Sequence, residues 1–211
     1  MQLTDIIKRV QRIFGDEDEV QIQVQDIISW VSDGQMEIAR QTECLTKSTE
    51  FDFDPITFTG FILPADFIME KRVTWVGRPL NKTTLTDLDQ YGSNTGASND
   101  QDVQMYYLWG GSIYPWPVGT SATVKALKLW YVCSPDPLTQ MNDQLQIPLY
   151  MHEDLVRYAI MRARELNEDV EQATAMGVDL NTRLVQSRSE AFNPYKDQYP
   201  VIRDYAGDHA W

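Results

Sequence analysis

The sequence predicts an α+β fold in which helical segments at both ends of the chain flank a β-rich middle. Apolar residues recur every three to four positions in the first and last quarters, whereas the middle alternates apolar and polar residues with a period of two. A final stretch rich in aromatics and prolines predicts an extended C-terminal arm. The 211 residues suffice for a substantial core, because chains of this size bury roughly 70% of their unfolded surface.

Two helices are predicted before residue 44. The first has Thr4 as its N-cap, ends at Gly15, and turns one apolar face inward, made of Ile6, Ile7, Val10, Ile13 and Phe14. The acidic residues 16–19 that follow are expected to form a solvated turn. The second helix runs from about Asp26 to Thr42, and Gly34 in its middle predicts a kink or a close crossing with another helix.

The middle of the chain, from about residue 44 to 145, predicts a small antiparallel β unit. Its expected strands lie within residues 51–64, where Pro55 predicts an edge or broken strand, and at 72–76, 103–109, 112–116 and 123–133. Gly110 and Gly111 predict the turn of a hairpin. Residues 92–100 are small and polar, which is typical of a loop.

Helix returns after Pro148. A first apolar face consists of His152, Leu155, Val156, Ala159, Ala163 and Leu166. After a break at residues 167–169, a second and narrower face consists of Val170, Ala173, Gly177, Leu180, Leu184, Arg188 and Ala191. Small residues on this second face favour close helix–helix packing.

Residues 192–211 predict an arm that binds a partner. Prolines at 194 and 200 and Gly207 argue against a regular helix. The stretch nevertheless carries the aromatic residues Phe192, Tyr195, Tyr199, Tyr205 and Trp211, and tails that stay in solvent are usually poor in aromatics. An extended segment with spaced aromatics suits docking into grooves, on the same chain or on a partner.

The charge balance constrains the classes of function. With 18 Lys and Arg against 31 Asp and Glu, the formal net charge is −13, which argues against a protein that grips nucleic acid by neutralising phosphates. No stretch approaches the roughly 18 apolar residues of a membrane span, so we expect no membrane contact. The two cysteines, Cys44 and Cys133, have neither CxxC spacing nor a nearby histidine in sequence.

Motifs of catalysis and cofactor binding are weak. His152 stands beside Glu153 and Asp154, but position 156 is valine, so the sequence lacks the HExxH pattern of zinc proteases. We therefore interpret His152 as a structural residue of the helix, and we expect no catalytic, cofactor or metal site. A small hydrolase that uses His152 with Glu153 or Asp154 remains an alternative.

Four of the six tryptophans fall in the β-rich middle: Trp75, Trp109, Trp116 and Trp130. The first interpretation is packing in the core of a thin sheet. Exposed hot spots for a protein partner are a second, since tryptophan is enriched there. A carbohydrate-binding module that stacks sugars on them is a third, although the helical ends of the chain disfavour it.

The order of local patterns carries a resemblance. The chain contains, in succession, DIIKRVQRIFGDED, QDIISWVSDGQMEIARQT, FILPADF, RVTWVGRPL, YYLWGGSIYPWP and IPLYMHEDLVRYAIMRARELNED. From about Leu3 to Leu184 this succession resembles the head-to-tail adaptor (connector) proteins of tailed bacteriophages, in particular those of short-tailed phages. No single motif is specific, so the resemblance rests on their order.

The resemblance implies a helical bundle formed by residues 1–43 and 146–191, an inserted β-rich domain over 44–145, and an extended arm over 192–211. It also implies a structural virion protein at the head–tail interface. Such proteins form a closed ring, usually dodecameric, that docks beneath the portal protein, continues the channel for double-stranded DNA without reading its sequence, and receives the tail tube or nozzle. Catalytic residues are absent from the family, so none are transferred here.

Two expectations follow from charge and resemblance together. A ring around DNA should avoid a basic lumen, which would retard the passing genome. Like charges on neighbouring copies repel, so we expect a monomer in isolation that forms the ring on the portal. A stopper or head-completion protein elsewhere in the neck remains an alternative, because only the direct partner separates the two.

Overall fold

The computed structural model describes residues 1–16, 18, 21–90, 103–119 and 121–191. Within them the α-helices are α1 (Leu3–Phe14), α2 (Val24–Thr42), α3 (Leu85–Gln90), α4 (His152–Leu166) and α5 (Val170–Ala191). The strands are β1 (Thr46–Phe53), β2 (Phe61–Ile62), β3 (Phe67–Trp75), β4 (Arg78–Pro79), β5 (Asn81–Lys82), β6 (Met105–Trp109), β7 (Ser112–Trp116) and β8 (Thr123–Cys133). The predicted α+β class is confirmed. No helix in these ranges is long and apolar enough to cross a membrane.

The helices at the two ends of the chain pack together into one helical unit. α4 lies at its centre, with α1, α2 and α5 packed around it. The largest side chains of its core are fully buried and come from each half of the chain: Leu3, Ile6, Ile27, Ile28, Ile38, Met151 and Leu155. Burial of this apolar surface is what joins the two distant segments.

Gly34 lies where α2 crosses α4. A Cβ atom at this position would lie 2.9 Å from Cδ1 of Tyr158 and 3.3 Å from a methyl carbon of Leu155. The glycine therefore permits the close crossing that its position in the helix predicts.

The strands form a β unit of two sheets. One four-stranded sheet has the order β1-β8-β3-β4 and the other the order β2-β7-β6-β5. Their inner faces share a second hydrophobic cluster, in which the rings of Phe53 and Trp75 lie 5.2 Å apart and those of Phe58 and Phe61 lie 4.9 Å apart. β1 is an edge strand that ends before Pro55, as predicted, but β1 begins at Thr46 and β3 at Phe67, both earlier than the alternation predicts. The β5–β6 pair is parallel, which corrects the prediction of a wholly antiparallel unit.

Several local predictions are corrected. Gln2, and not Thr4, is the N-cap of α1, because the helix begins at Leu3 and the Asp5 carboxylate accepts the Gln2 N–H at 2.9 Å. The turn after α1 is not simply solvated: Asp16 is buried and accepts backbone N–H groups of residues 21 and 22 at 2.9 and 2.7 Å. Residues 17 and 19 lie outside the described part of the chain.

Three apolar residues predicted to lie on buried faces are exposed instead. Ile13, Leu166 and Val170 are 51%, 58% and 65% exposed. Each belongs to the terminal turn of its helix, in which a neighbour takes the inward position instead: Phe14 and Ala163 pack on the core, and Ala173 is buried. The break at 167–169 and the bounds of β8 are as predicted, whereas the proposed division into domains at residues 44 and 146 stays a prediction.

The β unit leaves and rejoins the helical unit at nearly one point. Leu45, just before β1, contacts both hydrophobic clusters, and its carbonyl accepts the N–H of Cys133, the last residue of β8, at 3.0 Å. The returning segment then runs along α2. Ser32 Oγ accepts the N–H of Leu138 at 3.0 Å, and Gln35 Oε1 accepts that of Gln146 at 2.7 Å.

A buried carboxylate joins three elements at this point. Glu43 follows α2 in the left-handed backbone conformation, with φ 56°, and is 2% exposed. Its two carboxylate oxygens pair with Lys71 of β3 and with Arg188 of α5. The pKa of Lys71 is lowered, first by burial and second by the positive charge of Arg188, since the two cations lie close together. Glu43 therefore ties the β unit to α2 and to α5.

We expect Glu43→Gln to reduce the free energy of unfolding by about 2 kcal/mol, since it leaves two cations without their anion. The cost stays at the lower end for a buried pair because the Lys71 and Arg188 side chains are 31% and 52% exposed and can turn to water. Urea unfolding measures the change. The matched control is Glu37→Gln, which removes a surface pair with Arg40 and should cost less than about 0.5 kcal/mol. Equal effects of the two substitutions would contradict this role of Glu43.

Candidate interaction surfaces

The predicted partner-binding arm lies outside the described residues. This applies to Phe192, Tyr195, Tyr199, Tyr205 and Trp211, and also to the predicted loop over residues 92–100. The described part of the chain nevertheless places the start of each segment. The arm follows α5, which ends three residues after Arg188. The loop lies between α3 and β6 in the chain.

One face of the second sheet carries a row of aromatic and apolar side chains. Register pairs Met105 with Trp116, Tyr107 with Tyr114, and Trp109 with Ser112. Residues opposite each other in antiparallel strands, and residues two apart along a strand, share a face. Ile62 also pairs with Ser112. We call this set the aromatic sheet face: Ile62, Met105, Tyr107, Trp109, Tyr114 and Trp116.

The aromatic sheet face points away from the core. The opposite face of the same strands contains Tyr106 and Ile113, which are buried, whereas Ile62 and Trp109 are 76% and 64% exposed. The rings of Tyr107 and Tyr114 stack at 5.1 Å with 13° between their planes. This stack fixes the centre of the face, so Trp109 is presented on a rigid support.

The outer face of the first sheet is different. There Trp130 is covered by two cations, with Arg72 Cζ 5.4 Å and Lys128 Nζ 5.1 Å from the ring centroid. Glu50 pairs with Lys125 and Lys128, each at 3.0 Å. A charged face of this kind is typical of solvent contact.

The tryptophans thus divide among the interpretations that the sequence left open. Trp75 is 1% exposed and belongs to the core, and Trp130 lies beneath cations. Trp109 and Trp116 share the aromatic sheet face. Tyr107 and Tyr114 were not predicted as their neighbours, although the alternation of large residues at 105, 107 and 109 indicates one face of a strand.

His152, Glu153 and Asp154 do not form one site. His152 is 7% exposed and its Nε2 lies 3.1 Å from the Ile147 carbonyl oxygen, which indicates that Nε2 donates. Glu153 pairs with Arg9 at 2.8 Å, and Asp154 lies 3.7 Å from Arg183. Burial lowers the pKa of His152 and raises that of Asp154. Neither carboxylate is paired with the imidazole in the described structure, so the arrangement gives no support to the hydrolase alternative.

The two thiols are also shielded. Burial raises the pKa of Cys44 and of Cys133, which favours the protonated and less nucleophilic form. Among the described residues, no group of three or more potential metal ligands lies together.

The surfaces described above suit a protein that acts through contacts, and the comparison with known families agrees. The SU10 adaptor protein family matches residues 1–198. The chain belongs to this family. The resemblance to phage head–tail adaptors is therefore confirmed, and the adaptor has a structural role in the virion, at the head–tail junction, in contact with portal and tail components. A search of the curated proteins finds no match.

The buried His152 of the adaptor predicts a dependence of stability on pH. Because its folded pKa lies below the ordinary value of about 6.5, the unfolded chain binds the proton more readily. Stability should be full above that ordinary value and fall as the pH drops from it toward the folded pKa.

His152→Gln should flatten the urea-unfolding stability of the adaptor between pH 7.5 and pH 5 relative to the wild type. An unchanged slope in His152→Gln would show that other groups cause the loss.

Proposed function

We propose that the adaptor forms a closed ring, dodecameric as the resemblance implies, that docks beneath the portal protein and continues the channel for double-stranded DNA. The observation that carries the proposal is the family match, which extends over nearly the whole chain. In this role the protein turns over no substrate and needs no cofactor, and its function resides in its surfaces.

The charge of the chain supports a conduit. A wall that bound phosphates would hold the genome through many contacts at once. A net charge of −13 for each copy works against such retention. The adaptor is therefore proposed to guide DNA without sequence-specific binding.

The arm is proposed to dock on the portal. Its aromatic side chains supply large contact areas on an extended backbone. The family match includes Phe192 and Tyr195 and ends before Tyr199. The arm also begins directly after the helix that Glu43 ties to the β unit, so docking the arm would fix the position of the whole subunit.

The aromatic sheet face is proposed to receive the tail tube or nozzle protein. An exposed tryptophan beside half-buried tyrosine rings is typical of the centre of a protein interface. The face belongs to the β unit, and Glu43 lies between the β unit and the helical unit that carries the arm. The two partners can therefore bind one subunit without competing for the same residues.

Truncation after Asn193 should abolish docking to the portal and leave the circular dichroism spectrum unchanged, because the helical unit ends before it. Electron microscopy of the purified chain mixed with the portal ring of its own phage measures docking. The full-length chain should add a ring at the narrow end of the portal. A full-length variant with Tyr195, Tyr199, Tyr205 and Trp211 replaced by serine separates the aromatic rings from arm length, and it should also fail to dock.

Docking by the truncated chain would remove the arm from the proposal. A bare portal with the full-length chain would instead assign the protein to another position in the neck, as a stopper or head-completion protein.

Trp109→Ser should weaken binding of the tail component by roughly tenfold, which is typical of an interface tryptophan, and leave portal docking intact. Trp130→Ser is the matched control, since it makes the same change on the outer face of the other sheet. Pull-down of the tail component by portal–adaptor rings measures both. Equal binding by the two variants would place the tail contact elsewhere.

A further inference from the structure

The described residues leave a long edge of the first sheet uncovered, on strand β1. β1 is the end strand in the order β1-β8-β3-β4 and has eight residues, whereas β4 at the other end has two. Most residues of β1 are exposed: Thr46, Lys47, Ser48, Glu50 and Asp52. A long edge of this kind is normally covered, because its free N–H and C=O groups can pair with any extended chain.

The strand register shows which backbone groups of β1 point outward. The Leu45 carbonyl accepts the N–H of Cys133 from β8 at 3.0 Å, so Leu45 belongs to a hydrogen-bonded pair. In an antiparallel ladder such pairs alternate with pairs that are not bonded. The N–H and C=O groups that point away from β8 therefore belong to Thr46, Ser48 and Glu50. Within the described part of the chain these outward groups have no hydrogen-bond partner.

The charged side chains of β1 present little barrier to a further strand. Charges protect many sheet edges, because an added strand would have to bury them. Here Lys47 pairs with Asp66 at 2.7 Å, and Glu50 pairs with two lysines of β8. Asp52 Oδ1 accepts the Lys125 N–H at 2.7 Å. All three charges are thus already engaged by partners within the β unit.

The C-terminal arm begins close to this edge. Arg188, in the last turn of α5, pairs with Glu43, which lies three residues before Thr46. Twenty residues follow the end of α5. Residues 192–198 span up to about 23 Å when extended, so from this starting point they can bring Tyr199 to β1.

The arm contains a segment whose sequence suits a strand. Residues 199–205 read YPVIRDY, and Val, Ile and Tyr are enriched in strands. These seven residues match the eight of β1 in length. Pro200 stands near the start of the segment, where a missing backbone donor is tolerated on an edge strand.

Exposed apolar side chains lie at the far end of β1. Ile56 and Val124 are 90% and 76% exposed. Both are close to Phe53, the last residue of β1, which pairs with Thr123. An arm that starts beside Thr46 and runs along β1 brings its last aromatic residues to this end, where they have apolar side chains to cover.

We propose that residues 199–205 of the arm add a strand to the free edge of β1 in their own chain. A segment tethered by a short linker acts at an effective concentration in the millimolar range, so the arm of the same chain is favoured over that of another copy. The pairing itself needs no portal. One consequence rests on the proposed function: the arm covers β1 in the free adaptor and leaves it when it docks on the portal.

Hydrogen exchange at single amides, followed by NMR, tests the pairing. The amides of Ser48 and Glu50 should exchange at least roughly tenfold more slowly in the full chain than after truncation at Asn193, because paired amides exchange only when the strand opens. The amide of Thr49, which pairs with Leu129 of β8, should be protected equally in both chains. A seven-residue strand adds little to the circular dichroism of a chain with these helices, so single amides are the sensitive measure.

A proline variant separates backbone pairing from the aromatic side chains. V201P/I202P keeps every aromatic residue of the arm and removes two adjacent N–H donors, one of which any added strand would direct at β1. Ser48 and Glu50 should lose their protection in this variant as they do on truncation. A210P is the matched control, since it makes the same change outside residues 199–205 and should keep the protection.

Two results would overturn the inference. The first is fast exchange of Ser48 and Glu50 in the full chain. The second is protection of Ser48 in isotope-labelled truncated chain mixed with unlabelled full chain, which would show that the arm of another copy covers the edge.

Portal docking of the same samples is measured separately by electron microscopy. A ring on the portal together with an unprotected edge would leave the proposed function standing and overturn the inference. A protected edge together with a bare portal would do the opposite.

Discussion

The arrangement of the whole molecule depends on one buried carboxylate. Glu43 stands at the end of α2, accepts Lys71 from the β unit and Arg188 from α5, and is almost completely enclosed. A buried anion of this kind is costly unless its partners are in place. The two hydrophobic clusters meet mainly through Leu45, so apolar packing alone leaves their relative orientation weakly defined. The ion pairs supply direction, because both cations must approach the one enclosed carboxylate.

The same junction links the two surfaces on which the adaptor is proposed to act. Arg188 is close to the start of the arm. Lys71 is on the central part of β3, and the sheet that contains β3 shares its core with the sheet that carries the aromatic sheet face. A partner that pulled on the end of α5 would therefore act on the residue that holds the β unit. Mechanical coupling between the two proposed contacts needs such a short path. The path here consists of three side chains and no long loop.

Local pattern predicted most of the elements, since period and turn residues determine them. The hairpin around Gly110 and Gly111, the bounds of β8 and the break before α5 were all legible in the sequence. The pairing of Glu43 with a residue 145 positions further on was not, because nothing local distinguishes this glutamate from the others. Periodicity also could not say which ends of an apolar face stay exposed: Leu166 and Val170 follow the pattern, but in their turns Ala163 and Ala173 are the buried residues. Among the candidate sites, the alternation of large side chains over residues 105–109 indicates the aromatic sheet face. The arm stays a sequence prediction.

The single hydrogen bond from Cys133 to Leu45 has an evolutionary consequence. The chain departs for the β unit and returns at adjacent positions, so the insertion occupies no more of the helical unit than a tight turn does. Exchange of the β unit for one of another length would leave the path of α2 and α4 undisturbed, provided that the new unit also presents a cation to Glu43. The helical unit and the β unit could thus diverge at different rates in related viruses.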